Sequence, residues 1–302
     1  MNWFWFAIIA LLCWSGSDFF SKIGCRDSRD KFSHLKMVMA VGLVMGVHAL
    51  VEIIGGVEIS WNVIWTYLPV SLLYIGSMAL GYVGLRYIEL SISSPICNAS
   101  GALVAVMSLI MGTAEMDHIM QYVAVALACI GVVGLGFVEA REDEDLRAAR
   151  QAASNYKYAK SWLALALPIA YCLLDAAGTF ADALVLENLN EDSANVAYEL
   201  TFFFAGVVCF IYTVLIKGQP LSKKTERPKY IGALFETAGQ FAYIYALADT
   251  EHVAMSAPII SSYCAASVLW SRLFLKEKLS WKHYAAIAVT LLGIIIMGVF
   301  DM

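Results

Sequence analysis

Four acids stand inside long apolar runs of this sequence: Asp18, Asp175, Glu199 and Glu236. An ionisable side chain at the centre of a bilayer costs about 2.5–3.5 kcal/mol on insertion scales, so each of the four is a functional candidate. Lys22 follows Asp18 at i+4 and could pair with it along one helix. Asp175 has no basic residue at i±3 or i±4. It must be protonated, face a cation, or sit hydrated in a cavity. Glu199 enters its run beside Tyr198, and Glu236 shares a helix face with Gln240, with Tyr243 and Tyr245 beyond. Trp14 and Tyr171 each precede an embedded Asp by one turn, and Tyr74 and Tyr263 lie equally deep. A carboxylate beside aromatic faces suits an ammonium or another organic cation. Asp182 and Glu187, near the end of the same run as Asp175, are expected to be solvated.

The catalytic classes find no support. No Walker A sequence, His-Glu-x-x-His or Cys-x-x-Cys is present. His34, His48, His118, His252 and His283 are scattered at or near run ends and read as interfacial. No metal site, cofactor or enzymatic activity is expected. The net charge of −5 gives no general attraction for nucleic acid.

Elements must hold these acids in place, and composition says which kind. Of 302 residues 60% are hydrophobic and only 15% charged, against about a quarter charged in soluble domains. So large an apolar excess cannot be hidden in one aqueous core. A span needs about 20 mostly apolar residues. Ten are legible, at 3–24, 35–54, 64–88, 91–112, 118–138, 161–186, 194–216, 230–249, 253–275 and 281–300. The first is too long for a removable signal peptide and has no basic residue before it. All 20 Lys and Arg fall on the odd-numbered connections and their flanks. The even-numbered ones carry acids such as Glu58, Glu115, Asp117, Glu191, Asp192 and Glu251. The positive-inside rule then puts the odd connections in the cytoplasm and both termini outside. Trp3, Trp5, Trp61, Trp65, Trp162 and Trp281 sit at span ends, as an interfacial belt would.

The chain divides at the polar stretch 141–160, expected to be a cytoplasmic linker. Residues 1–140 and 161–302 then hold five spans each. Ser94-Pro95 and Ala257-Pro258 open spans 4 and 9, each proline being expected in the first turn. Asn98 and Tyr263 follow them closely. Trp14-x-x-x-Asp18 answers Tyr171-x-x-x-Asp175. An odd number of spans per repeat inverts the second copy, a recurrent plan for transporters whose site lies between the repeats. Gly42-x-x-x-Gly46 would allow a close helix crossing.

Five-plus-five spans, the paired Ser/Ala-Pro turns, and Leu275-Lys276-Glu277-Lys278-Leu279-Ser280 ahead of a last helix ending Leu292-Gly293-Ile294 resemble the drug/metabolite transporter superfamily, in its EamA-type branch. Gly112-Thr113-Ala114-Glu115-Met116 departs from the family's pattern in lacking the usual base. The resemblance implies an all-α integral membrane protein of ten helices in two inverted repeats. It also implies cytoplasmic termini, where the charges say the reverse; the expectation here follows the charges.

The function read from these residues is a secondary transporter in the cytoplasmic membrane, a monomer or homodimer. It would move a small cationic or zwitterionic metabolite, such as a quaternary amine or amino acid, by alternating access. The substrate site is expected at Trp14, Asp18, Tyr74, Asn98, Tyr171, Asp175, Glu236, Gln240 and Tyr263. Protons are candidate coupling ions at Asp18, Asp175, Glu199 and Glu236. The alternatives are an efflux carrier for hydrophobic cations and, in another class, an intramembrane enzyme or receptor subunit.

Overall fold

The computed structural model describes residues 2–25, 30–87, 90–112, 116, 118–140, 162–275 and 279–300. The expected linker 141–160 lies outside the described residues, as do Arg26, Arg29, Glu115, Asp117, Lys276 and Lys278. The described residues are helical, with no strand among them. The first half forms α1 (Trp3–Cys25), α2 (Ser33–Gly55), α3 (Trp61–Tyr87), α4 (Leu90–Cys97), α5 (Ser100–Met111) and α6 (Ile119–Ala140). The second forms α7 (Trp162–Leu186), α8 (Glu191–Phe210, continued by a π-helical turn Ile211–Ile216), α9 (Lys223–Leu247), α10 (Val253–Ser261), α11 (Tyr263–Leu275) and α12 (Trp281–Phe300).

Among the described residues nine stretches are long and apolar enough to cross a membrane, with α4–α5 and α10–α11 each serving as one. The expected eighth span lies in α9, which is 25 residues long. At 1.5 Å per residue that length also suffices. Its composition does not, because Lys223, Lys224, Glu226, Arg227 and Lys229 crowd its first turns and Glu236 and Gln240 occupy its middle. α9 is nevertheless a core helix, packed along α1 and against α2.

Each helix of the first half packs on one of the second. The main pairs are α1 with α9, α2 with α8, α3 with α7, α5 with α10 and α6 with α12. Small residues set the closest crossings. A Cβ on Gly42 would stand 2.7 Å from the Phe202 carbonyl oxygen and 2.9 Å from Gly206 Cα, so the expected Gly-x-x-x-Gly does bring two backbones together. Large apolar side chains such as Val47, Ile54, Ile110, Phe137 and Leu215 point outward, where lipid would meet them. Trp5, Trp61, Trp65 and Trp281 are exposed at helix ends, as the belt requires. Trp3 is not: it is buried and stacks on His252 with ring centroids 5.1 Å apart.

The prolines correct the expectation that they open their helices. Pro95 and Pro258 are each the sixth residue of their helix, not part of the first turn. The two helices begin at Leu90 and Val253, within one residue of the expected span starts, so each proline stands in a helix interior and removes a backbone hydrogen bond. Each helix then stops within four residues, at Asn98–Ala99 and at Ser262. Both breaks are held alike. The Ser94 carbonyl accepts from Asn98 N (2.9 Å) and Asn98 Nδ2 (2.8 Å). The Pro258 carbonyl accepts from Ser262 N (3.1 Å) and Ser262 Oγ (2.7 Å). Such returns to the i−4 carbonyl bend helices. Gly101 lets the two broken spans touch, since a Cβ there would lie 2.7 Å from the Ala257 carbonyl oxygen. Irregular backbone at membrane depth is tolerated where it is buried in protein or lines a cavity.

Candidate functional site

A cavity of about 100 Å³ lies between the halves, bounded by α1, α3, α4, α5, α7, α8, α9, α10 and α11. All nine residues expected to bind substrate line it: Trp14, Asp18, Tyr74, Asn98, Tyr171, Asp175, Glu236, Gln240 and Tyr263. They are joined by Ser17, Tyr82, Ser94, Thr179, Tyr198 and Tyr243 among others. Three carboxylates thus share one chamber, and no Lys, Arg or His is among its described lining residues.

The acids are positioned by the broken span of the first half. Asp18 accepts a hydrogen bond from Ser94 Oγ at 3.0 Å, on the α4 side of the break. Asp175 accepts one from Ser100 Oγ at 2.7 Å, on the α5 side. Two serines flanking one helix break therefore hold the corresponding Asp of each half. Neither serine takes charge from its acid, so both carboxylates keep acceptor capacity for a ligand. Glu236 reaches the chamber from α9, one turn before Gln240.

Aromatic rings form most of the remaining wall. Trp14 stacks obliquely on Tyr243 at 4.9 Å and meets Tyr263 edge-on at 6.0 Å. Tyr74 meets Tyr198 edge-on at 5.9 Å. Gly81 gives the Tyr171 ring its place, with ring carbons 3.0 Å from where a Cβ would be. Trp14 Nε1, the Tyr82 hydroxyl and Gln240 Nε2 have no hydrogen-bond partner among the described residues. A ligand with an acceptor atom would satisfy them.

Two acids lie elsewhere. Glu199 is not in the cavity wall. It is buried at the α2–α8 interface, where His48 Nδ1 lies 2.9 and 3.0 Å from its two oxygens. His48 is therefore a pairing residue and not a merely interfacial one. His283 is likewise buried, with Nδ1 2.7 Å from Ser280 Oγ. Asp182 corrects a second expectation. It is fully buried rather than solvated, and its oxygens accept from Tyr67 (2.8 Å) and Tyr74 (3.4 Å). Proximity to a helix end says nothing about which face a residue occupies, and Asp182 faces α3. Trp270 stays outside the chamber and donates to Ser15 Oγ at 2.9 Å.

Of the lining residues not foreseen as binding residues, Tyr243 carried a signal, being two turns beyond Glu236 on the same face. Ser94 and Ser100 carried none beyond flanking a proline break.

Residues 163–299 match the EamA-like transporter family. That EamA match reaches Tyr171, Asp175, Glu236, Gln240 and Tyr263, while Trp14, Asp18, Tyr74 and Asn98 lie in the half it does not cover. With the membrane-length helices it supports a multi-pass membrane protein whose second half is similar to that transporter family. The fold is shared with solved structures, among them a crystal structure of a protein that matches at a TM-score of 0.68 and 12% identity over 99% of this chain and 96% of that one. No curated protein sequence matches significantly.

Proposed function

We propose that the chain is a secondary transporter that moves a small cationic or zwitterionic organic solute through the acidic chamber by alternating access. The observation that carries this reading is the chamber's composition: Asp18, Asp175 and Glu236 among seven aromatic rings, with no base in the described lining. Carboxylates in a chamber whose described lining holds no base attract cations or protons, and ring faces add cation–π attraction. Protons are then the natural coupling ions, carried on the same three acids.

The ten-span, two-repeat plan is part of the proposal, with α9 as the eighth span. Exchanging each span of one half with its counterpart in the other maps the packed pairs onto themselves. The pair α1–α9 becomes α7–α3, and α2–α8, α5–α10 and α6–α12 are each unchanged. Gly42 against Gly206 obeys the same exchange. Inverted repeats with a central site built on broken helices are a known basis for alternating access. The proposal keeps the odd-numbered connections in the cytoplasm, following the basic residues.

The chamber's small volume favours a metabolite-sized ion over a bulky hydrophobic drug. A thermal-shift screen of purified protein tests the reading. Small organic ammonium, guanidinium and amino-acid probes should raise the melting temperature, since bound ligand stabilises by mass action. Stabilisation by organic anions alone would refute it.

A further inference from the structure

Asp182 belongs to a polar cluster that closes one end of the chamber. Tyr74, Thr179 and Tyr243 line the chamber, whereas Tyr67 and Asp182 do not. The cluster ties three helices together. Tyr67 and Tyr74 come from α3, Thr179 and Asp182 from α7, and Tyr243 from α9. Tyr243 donates to Thr179 Oγ1 at 3.0 Å, Tyr74 lies 3.2 Å from the same oxygen, and the Tyr74 and Tyr243 hydroxyls touch. Gly178 lets the Tyr74 ring lie flat on α7, its Cε1 only 3.0 Å from where a Cβ would be. The layer separates the chamber from the end of the bundle where α3 starts at Trp61 and α7 ends at Leu186.

The carboxyl in this layer is alone in its charge. Asp182 and Tyr67 are fully buried. Among the described residues no ion pair reaches Asp182. The titratable groups around it are Tyr67 and Tyr74 on α3, Tyr198 on α8 and Tyr243 on α9, with Asp175 two turns back on its own helix. None is a base. An ionised carboxylate buried without a cation is strongly penalised, whereas a neutral acid that donates and accepts is not. The neutral form also completes a one-way chain. Tyr67 donates to Oδ1; the bond that Oδ2 accepts from Tyr74 at 3.4 Å reverses once Oδ2 carries a proton, and Tyr74 and Tyr243 then pass their hydroxyl protons on toward Thr179.

We propose that Asp182 is a proton-binding site whose protonation closes the layer of Tyr67, Tyr74, Thr179 and Tyr243 over the chamber. The proton comes from water at the Trp61–Leu186 end onto a carboxylate oxygen, and it returns there when the layer parts and the carboxylate is hydrated. No other group changes protonation. The inference rests on the reading of the chamber as an alternating-access site, and it adds a gate to that site.

The native Cys97, which lines the chamber, reports on the gate without any substrate. The background keeps Cys97 and replaces the other six cysteines. A membrane-impermeant maleimide is applied to the Trp61–Leu186 face from mildly acidic to mildly alkaline pH. Thiol ionisation raises every rate with pH, so the readout is the rate relative to Asp182→Asn, which mimics the neutral acid and stays closed. This ratio should climb with pH, by up to about tenfold per pH unit below the carboxyl's midpoint. A ratio that does not change with pH overturns the proposal. Tyr67→Phe keeps the carboxyl but loses the 2.8 Å bond, so it should raise labelling at acidic pH; an unchanged rate there also overturns it. Asp175→Asn should leave the pH dependence of labelling intact while losing stabilisation by organic cations. A chamber that binds no cation yet still gates with pH would therefore count against the transport reading and not against Asp182.

Discussion

Gly101→Ala should destabilise the protein, although alanine is the better helix former. Gly101 lies in α5 where the two broken spans touch. A Cβ there would stand 2.3 Å from Ser261 Oγ, 2.6 Å from Ser261 Cβ and 2.7 Å from the Ala257 carbonyl oxygen. Rotating the serine hydroxyl relieves the first clash. The other two involve Cβ and backbone, so α5 and α10 must separate. Overpacking of this kind costs about 1–3 kcal/mol. The gain in helix propensity offsets about 0.5–1 kcal/mol of that. The expected net loss is therefore up to about 2.5 kcal/mol. Gly134→Ala is the control, because nothing lies within 4 Å of its added Cβ, and it should be neutral or stabilising by up to about 1 kcal/mol. The double variant Gly101→Ala/Ser261→Ala should recover little, since the serine's Cβ and the Ala257 carbonyl remain. Reversible unfolding in mixed micelles measures all four proteins. The packing argument fails if Gly101→Ala is as stable as Gly134→Ala, or if Ser261→Ala rescues it fully.

Three further outcomes follow. Glu199→Ala should cost about 1–3 kcal/mol, the figure for leaving a buried polar group unsatisfied, because it removes the carboxylate facing His48 Nδ1. It should leave cation binding unchanged, because Glu199 is outside the chamber wall; calorimetric titration and unfolding separate the two effects. Trp14→Ala should weaken binding of a small ammonium probe by about 2–30-fold in the same titration, the range of a cation–π contact worth roughly 0.5–2 kcal/mol. Topology is checked by reporter fusions: one within 142–158 should report cytoplasm, and a periplasm-active reporter at the C-terminus should be active. The opposite pattern would overturn the charge argument.

Much of the site was legible because its signals were thermodynamic. An acid in an apolar run must have a reason, and that reasoning alone marks Asp18, Asp175 and Glu236. Helical spacing added Trp14, Tyr171 and Gln240, and correspondence between the halves added Asn98 and Tyr263. Asp182 escaped because distance from a run end is one-dimensional, whereas burial depends on which helix the side chain faces. Tyr67 and Asp182 are 115 positions apart, and nothing local couples them. The same limit hid Ser94 and Ser100. Serine is common in apolar helices, and only the folded break brings these two to acids on α1 and α7. Glu199 met the thermodynamic test for a different reason: its partner His48 lies on α2 and removes it from the chamber. The helix starts at Leu90 and Val253 were legible to within one residue, yet the prolines, expected in the first turn, stand at the sixth position of each helix.

The central claim is that the chamber's acids carry a cation across the membrane. Its most direct test is uptake into proteoliposomes by Asp175→Asn, under an imposed pH gradient, of the cation that most stabilises the wild type. The amide keeps the size of the side chain and can accept from Ser100, but it neither carries charge nor releases a proton. Concentrative uptake should be lost while expression, monodispersity and melting temperature in the absence of ligand stay near wild type. Uptake at the wild-type rate with unchanged pH dependence would make Asp175 a structural residue and contradict the acid-centred mechanism.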